Sequence, residues 1–202
     1  MAAPRVICYF DIGSPFSYIG VHALKWIQRE RLYWAHRFGV SMTEAIPEGF
    51  PASTVDLQTA LSVIHKESPG SVASIAEKFF SIFWTKADTG IVNPAQFTPL
   101  AANELDGNTL SKVLNAVSRQ LASIYDAHTD WPSSSPQGPD GKTLLHENTQ
   151  KAFASGAFGL PWFECINCEG SAEGFWGVDH LGRVAEFLRL DTSVDSAFDV
   201  LL

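Results

Sequence analysis

The chain opens on an apolar run, Val6-Ile7-Cys8-Tyr9-Phe10, whose β-branched and aromatic residues predict a buried strand over 5–10. From Phe16 the pattern becomes that of an amphipathic helix, carried by Tyr18, Ile19, Leu24, Trp26 and Ile27 and on through Leu32, Tyr33 and Trp34 to Arg37, with Gly39 as its stop. Pro47-Glu48-Gly49-Phe50-Pro51 reads as a loop. The spacing then predicts a helix over 54–66, with Ser53 or Thr54 as cap and Leu57, Ala60, Leu61 and Ile64 on one face. Ser68-Pro69-Gly70 breaks it, and a second helix follows over 71–85 with Val72, Ile75, Ala76, Phe79, Phe80 and Phe83 inside. Further helices are predicted over 97–105 and 109–125. The stretch 131–141 is so rich in Pro, Ser and Gly that it reads as a flexible loop or disordered insert. Helix returns over 144–155. The character then changes to turn and strand over 159–166, a hairpin turn over 167–170, a partner strand over 174–177 and a closing helix over 178–188.

Strand, several helices, hairpin and helix make an α/β chain. The order matches a thioredoxin-like sheet with an all-helical subdomain inserted in its middle. On this reading residues 1–30 and 156–202 form the discontinuous thioredoxin-like domain, and 31–155 form the insertion. The 202 residues suffice for one sizeable core plus a subdomain, and no internal repeat is visible. A net charge of −8, with no basic stripe, argues against nucleic acid and anionic membranes as partners. No apolar run reaches the length of a membrane span, and the N-terminus lacks the apolar stretch of a signal peptide. Three cysteines do not make a disulfide scaffold, so a reducing intracellular location is expected, with cytoplasm, mitochondrion and peroxisome left open.

The candidate chemistry begins at Ser14-Pro15-Phe16-Ser17, between the predicted strand and helix. The free N–H groups of a helix's first turn and its dipole favour an anion there. Thioredoxin-like redox proteins place Cys-x-x-Cys at this position, and here hydroxyls replace both sulfurs. Ser14 can stabilise a bound thiolate; taken alone it reads as a helix cap followed by a first-turn proline. Leu160-Pro161 is the second candidate, because a proline before the third strand of such folds is cis and leaves the preceding residue's main chain to a peptide-like ligand; an ordinary turn proline is the alternative. Asp179, after Val178, can hold an ammonium group or simply complement a helix dipole. Cys165-Ile166-Asn167-Cys168 sits on a predicted strand and turn, without a helix N-terminus to lower a thiol pKa. It also lacks the second ligand pair of a zinc site, so no metal is expected and Cys168 is expected to be an exposed turn residue.

Three blocks together resemble the kappa-class glutathione transferases and the related 2-hydroxychromene-2-carboxylate isomerases, a family with a DsbA-like thioredoxin fold. They are Tyr9-Phe10-Asp11-Ile12-Gly13-Ser14-Pro15-Phe16-Ser17-Tyr18-Ile19-Gly20, Lys151-Ala152-Phe153-Ala154-Ser155-Gly156-Ala157-Phe158-Gly159-Leu160-Pro161, and Phe175-Trp176-Gly177-Val178-Asp179-His180-Leu181. The resemblance implies glutathione as co-substrate, a small electrophile as second substrate, and a homodimer. It implies Ser14 as the group that stabilises the glutathione thiolate, Leu160 and Pro161 as the site of main-chain pairing, and Val178 (through its N–H) and Asp179 as holders of the γ-glutamyl end. A glutathione-dependent isomerase and a non-catalytic thioredoxin-like binding module are the alternatives. The family's second strand has no counterpart after Gln28-Arg29-Glu30-Arg31, and 121–140 is extra. The fold is therefore expected to lack that strand and to be marginally stable, because ladder groups are left bare.

Overall fold

A computed structural model of the chain describes residues 5–9, 24–125 and 141–194. Ser14, Pro15 and the expected helical stretch 16–23 lie outside these residues, as does 131–140 of the expected loop. The described chain mixes helices with one antiparallel sheet. It divides into two units, Met1–Met42 with Gln150–Leu202, and Thr43–Thr149.

The first unit holds β1 (Arg5–Tyr9), α1 (Leu24–Arg37), β2 (Trp162–Ile166), β3 (Ala172–Trp176) and α7 (Leu181–Leu188). The sheet order is β1-β2-β3, with both pairs antiparallel. Among the described residues no strand lies between Tyr9 and Trp162. α1 ends at the expected place: Gly39 N–H bonds His36 O at 3.2 Å and Val40 N–H bonds Ala35 O at 2.8 Å, the paired closure of a helix with a left-handed residue after its cap. The hairpin turn is built by Asn167, whose Oδ1 accepts from the N–H groups of Glu169 and Ser171, both at 3.0 Å. The partner strand begins at Ala172, two residues before the predicted start, because the ladder extends to Ile166↔Ala172.

One face of this sheet carries Cys165 and Phe175, which pack with Val184 and Leu188 of α7, with Phe163 and Phe187 flanking. The other face carries Trp162 and Trp176, directly opposite each other in the ladder. Trp162 is buried because its cross-strand diagonal neighbour has no side chain. A Cβ on Gly174 would meet the indole's Cη2 at 2.6 Å and Cε2 at 3.0 Å, with Cζ2 closer still. The indole Nε1–H donates to Ser155 Oγ at 3.0 Å.

The second unit is helical: α2 (Val55–Glu67), α3 (Val72–Phe80), α4 (Pro94–Ala102), α5 (Gly107–Tyr125) and the first part of α6 (Gly141–Ala154). The predicted face of α2 is buried, with Leu57, Ala60 and Ile64 at 0% exposure and Leu61 at 4%. Thr54 occupies its N-cap, but its side chain accepts no capping bond. The predicted helix 71–85 runs as α3 and then loosens into a π-turn over Ser81–Thr85. Ile75, Phe79 and Phe83 are fully buried, whereas Val72 and Phe80 are only half-buried. The Phe79 ring lies 5.8 Å from that of Phe97 of α4, tilted by 57°. α4 starts at Pro94, three residues earlier than predicted, because Asn93 Oδ1 caps Ala95 N–H at 2.9 Å and proline fits the first helical position. Gly141, expected in the loop, is the first residue of α6 and is buried. A Cβ there would meet Thr59 Cγ2 at 2.5 Å and Ala116 Cβ at 2.8 Å, so only glycine lets the helix start against α2 and α5.

Candidate functional site

Pairing register collects the site at one end of the sheet. Tyr9, the last residue of β1, pairs with Trp162, the first of β2, which pairs with Trp176, the last of β3. The chain therefore leaves β1, enters β2 and leaves β3 at the same end. Leu160-Pro161 precedes β2 there, and the peptide between them is cis. Val178-Asp179 follows β3 there. A backbone hydrogen bond closes the ladder between the two segments, from Gly177 N–H to Pro161 O at 3.0 Å. Leu160, Pro161, Val178 and Asp179 are thus brought together from two sequence blocks. Ser14 lies outside the described residues.

Gly177 is what permits this closure. Its φ of 88° and ψ of 157° belong to a region that side-chain-bearing residues avoid. A Cβ there would also collide with Asp179 Oδ1. The Asp179 carboxylate therefore rests beside Gly177, on a 3-10 turn, Val178–His180, that precedes α7. The predicted closing helix starts at Val178 only in this tighter form; α-helical bonding begins at Leu181, after His180 as N-cap. Asp179 is exposed, and its Oδ2 lies 3.5 Å from His180 Nδ1. Leu160, Pro161 and Val178 are half-buried.

An aromatic group stands beside the cis proline. Phe158 is 72% exposed, yet its ring sits 5.1 Å from Trp176 and 6.0 Å from Trp162. Trp176 Nε1 is buried without an acceptor among the described residues and faces Gly159, where a Cβ would meet it at 2.5 Å. In the sequence these aromatics had no role of their own; the signal for their place is Gly159 and Gly174, whose missing side chains admit the two indoles. His180 was legible only as a neighbour of Asp179 in sequence.

Cys165 and Cys168 do not form a reactive pair. Cys165 faces the core, and burial, reinforced by the carboxylates of Glu173 and Glu164, pushes its thiol up to about 11. Cys168 is half-buried in the hairpin turn that Asn167 builds, rather than exposed. Among the described residues no group of three or more His, Cys, Asp or Glu side chains is arranged to hold a metal ion. None of the described helices is long and apolar enough to cross a membrane.

No family model matches the chain. It is similar to glutathione s-transferase kappa 2 of Caenorhabditis elegans, 24% identical over an alignment of 218 positions that covers 89% of this chain and 89% of that protein.

Proposed function

We propose that the chain is a glutathione transferase of the kappa type that conjugates glutathione to small electrophiles. The observation that carries this reading is the likeness to a kappa transferase across 89% of both chains. The convergence of Leu160-Pro161 and Val178-Asp179 at one sheet end supports it, because a tripeptide thiol needs main-chain partners and an ammonium acceptor within one cleft. In this reading Leu160 pairs with the glutathione backbone through its own main chain. Val178 offers its N–H and Asp179 its carboxylate to the γ-glutamyl end. The Ser14 hydroxyl and the first-turn N–H groups stabilise the thiolate. The thiol proton leaves to solvent, the sulfur attacks the electrophilic carbon, a C–S bond forms, and the leaving group departs with its bonding pair. A thioredoxin-like domain and a homodimer are the architecture and assembly that this reading implies.

The test is Ser14→Ala, assayed for conjugation of glutathione to an aryl halide, with the thiolate absorbance of bound glutathione followed against pH. Loss of a hydrogen bond to a charged sulfur is worth about 1.5–3 kcal/mol, so turnover falls about 10- to 100-fold and the bound thiol's pKa rises by about one to two units. Unchanged turnover and thiol pKa overturn the role of Ser14. A native chain that gives no calorimetric heat with millimolar glutathione overturns the transferase reading itself. A product that lacks the glutathione sulfur does so in favour of an isomerase.

A further inference from the structure

Phe158 is the most exposed large apolar side chain among the described residues, at 72%, and yet its ring is held in place. The ring centre lies 5.1 Å from that of Trp176, tilted by 50°, and 6.0 Å from that of Trp162, edge-on at 66°. The chain before it is fixed too: Gly156 N–H bonds Phe153 O at 3.0 Å and Ala157 N–H bonds Ala152 O at 2.9 Å, closing α6 just ahead of the ring. Gly159 lays the chain after it against the Trp176 indole, where a Cβ would meet Nε1 at 2.5 Å. Trp162 follows the cis Pro161 and Trp176 precedes Gly177, so the ring stands at the end of the sheet where Gly177 N–H meets Pro161 O. The segment 155–161 carries no charged residue.

An exposed ring flanked by neutral chain suits a neutral, flat molecule. Aromatic rings stack offset or edge-on with centres about 4.5–7 Å apart, and gain more than the area they cover. A loose surface side chain gives up rotamer freedom when a ligand settles on it; Phe158, already braced by two indoles, has less to give up. We propose that Phe158 is a specificity-determining residue for the second substrate: its ring stacks on that of the electrophile and selects aryl over alkyl electrophiles. The proposal rests on the transferase reading given above, because it takes the electrophile as the ligand.

Steady-state kinetics with glutathione and two chlorides, 1-chloro-2,4-dinitrobenzene and chloroacetamide, test it. In both, the glutathione sulfur forms the C–S bond and chloride leaves with its bonding pair, but only the first substrate carries a ring. Phe158→Leu keeps the apolar bulk and removes the ring, so the aryl-to-alkyl ratio of kcat/KM falls about 3- to 10-fold. The loss appears in the KM for the aryl chloride rather than in kcat, as expected of an interaction made equally in the ground and transition states. Phe158→Tyr, which retains a ring, keeps the native ratio. Circular dichroism confirms folding, and size-exclusion chromatography the oligomeric state. An unchanged ratio in Phe158→Leu, or an equal fall in Phe158→Tyr, overturns the inference and leaves the transferase reading intact; a changed oligomeric state alongside an unchanged ratio makes the ring a subunit contact instead. A native chain that conjugates neither chloride overturns that reading, and this inference with it.

Discussion

Gly174→Ala isolates the contact on which the site end of the sheet is built. The added methyl group falls on the Trp162 indole, 2.6 Å from Cη2 and 3.0 Å from Cε2. The ring is rigid, 5% exposed, and tethered through Nε1–H to Ser155 at 3.0 Å, so it cannot yield by a rotamer change alone. Overpacking of this kind costs about 1–3 kcal/mol, and a trapped indole belongs at the upper end. Replacing glycine within a strand returns about 0.5–1 kcal/mol through the unfolded chain, which leaves a net loss of about 2 kcal/mol. For a chain of this length that lowers Tm by about 4–8 °C. Thermal melting by circular dichroism measures it, with Gly107→Ala as comparison. Gly107 opens α5, and a Cβ there has nothing within 4 Å, so its variant melts at or slightly above the native temperature. If Gly174→Ala melts within a degree of the native chain, the Trp162–Gly174 contact does not limit the packing of this sheet.

Two further predictions concern stability. Cys165 has a folded pKa raised to about 11 against about 8.5 for a free thiol, so the stability it supplies is complete below the unfolded value and is lost as the pH climbs toward the folded one. Urea midpoints at about pH 8 and about pH 10.5 should therefore fall more steeply in the native chain than in Cys165→Ala, and parallel slopes would contradict the buried-thiol account. Asn93→Ala removes the Oδ1 cap on Ala95 N–H and should cost about 1 kcal/mol in chemical denaturation, whereas Asn93→Asp, which keeps an acceptor, should restore most of it.

The helical unit was legible because helix period and burial coincide. Leu57, Ala60, Leu61 and Ile64 recur on one side of α2 and are the residues shut away from water. Where prediction slipped, a local signal was present but competed with another. Asn93-Pro94 marks a helix start, yet the apolar pattern strengthens only at Phe97. Gly141 reads as punctuation until α2 and α5 are seen to leave no room for a side chain. The π-turn at Ser81–Thr85 left no trace, since Phe83 and Trp84 stay buried and continue the apolar pattern of α3. In the candidate site Leu160-Pro161 and Val178-Asp179 could be read as two separate motifs. Their meeting was implied by the family resemblance alone and not by the residues themselves, because it depends on the pairing of Trp162 with Trp176, and register is a property of three dimensions.

That register is also what the Trp162–Gly174 contact enforces. A one-residue slip of β3 against β2 carries Phe175 from the α7 side to the opposite face and brings a side chain where Trp162 needs an empty position. The same slip moves Gly177 away from Pro161 and breaks the 3.0 Å bond that holds the two halves of the site together. Stability and site geometry therefore share one steric lock, built from a large side chain lying across a missing one on the neighbouring strand. Loss of melting temperature and loss of glutathione affinity in Gly174→Ala should accordingly appear together. A variant that melts low but binds glutathione as the native chain does would separate the lock from the site, and would place the ligand's contacts somewhere other than the end of the sheet where Pro161 meets Gly177.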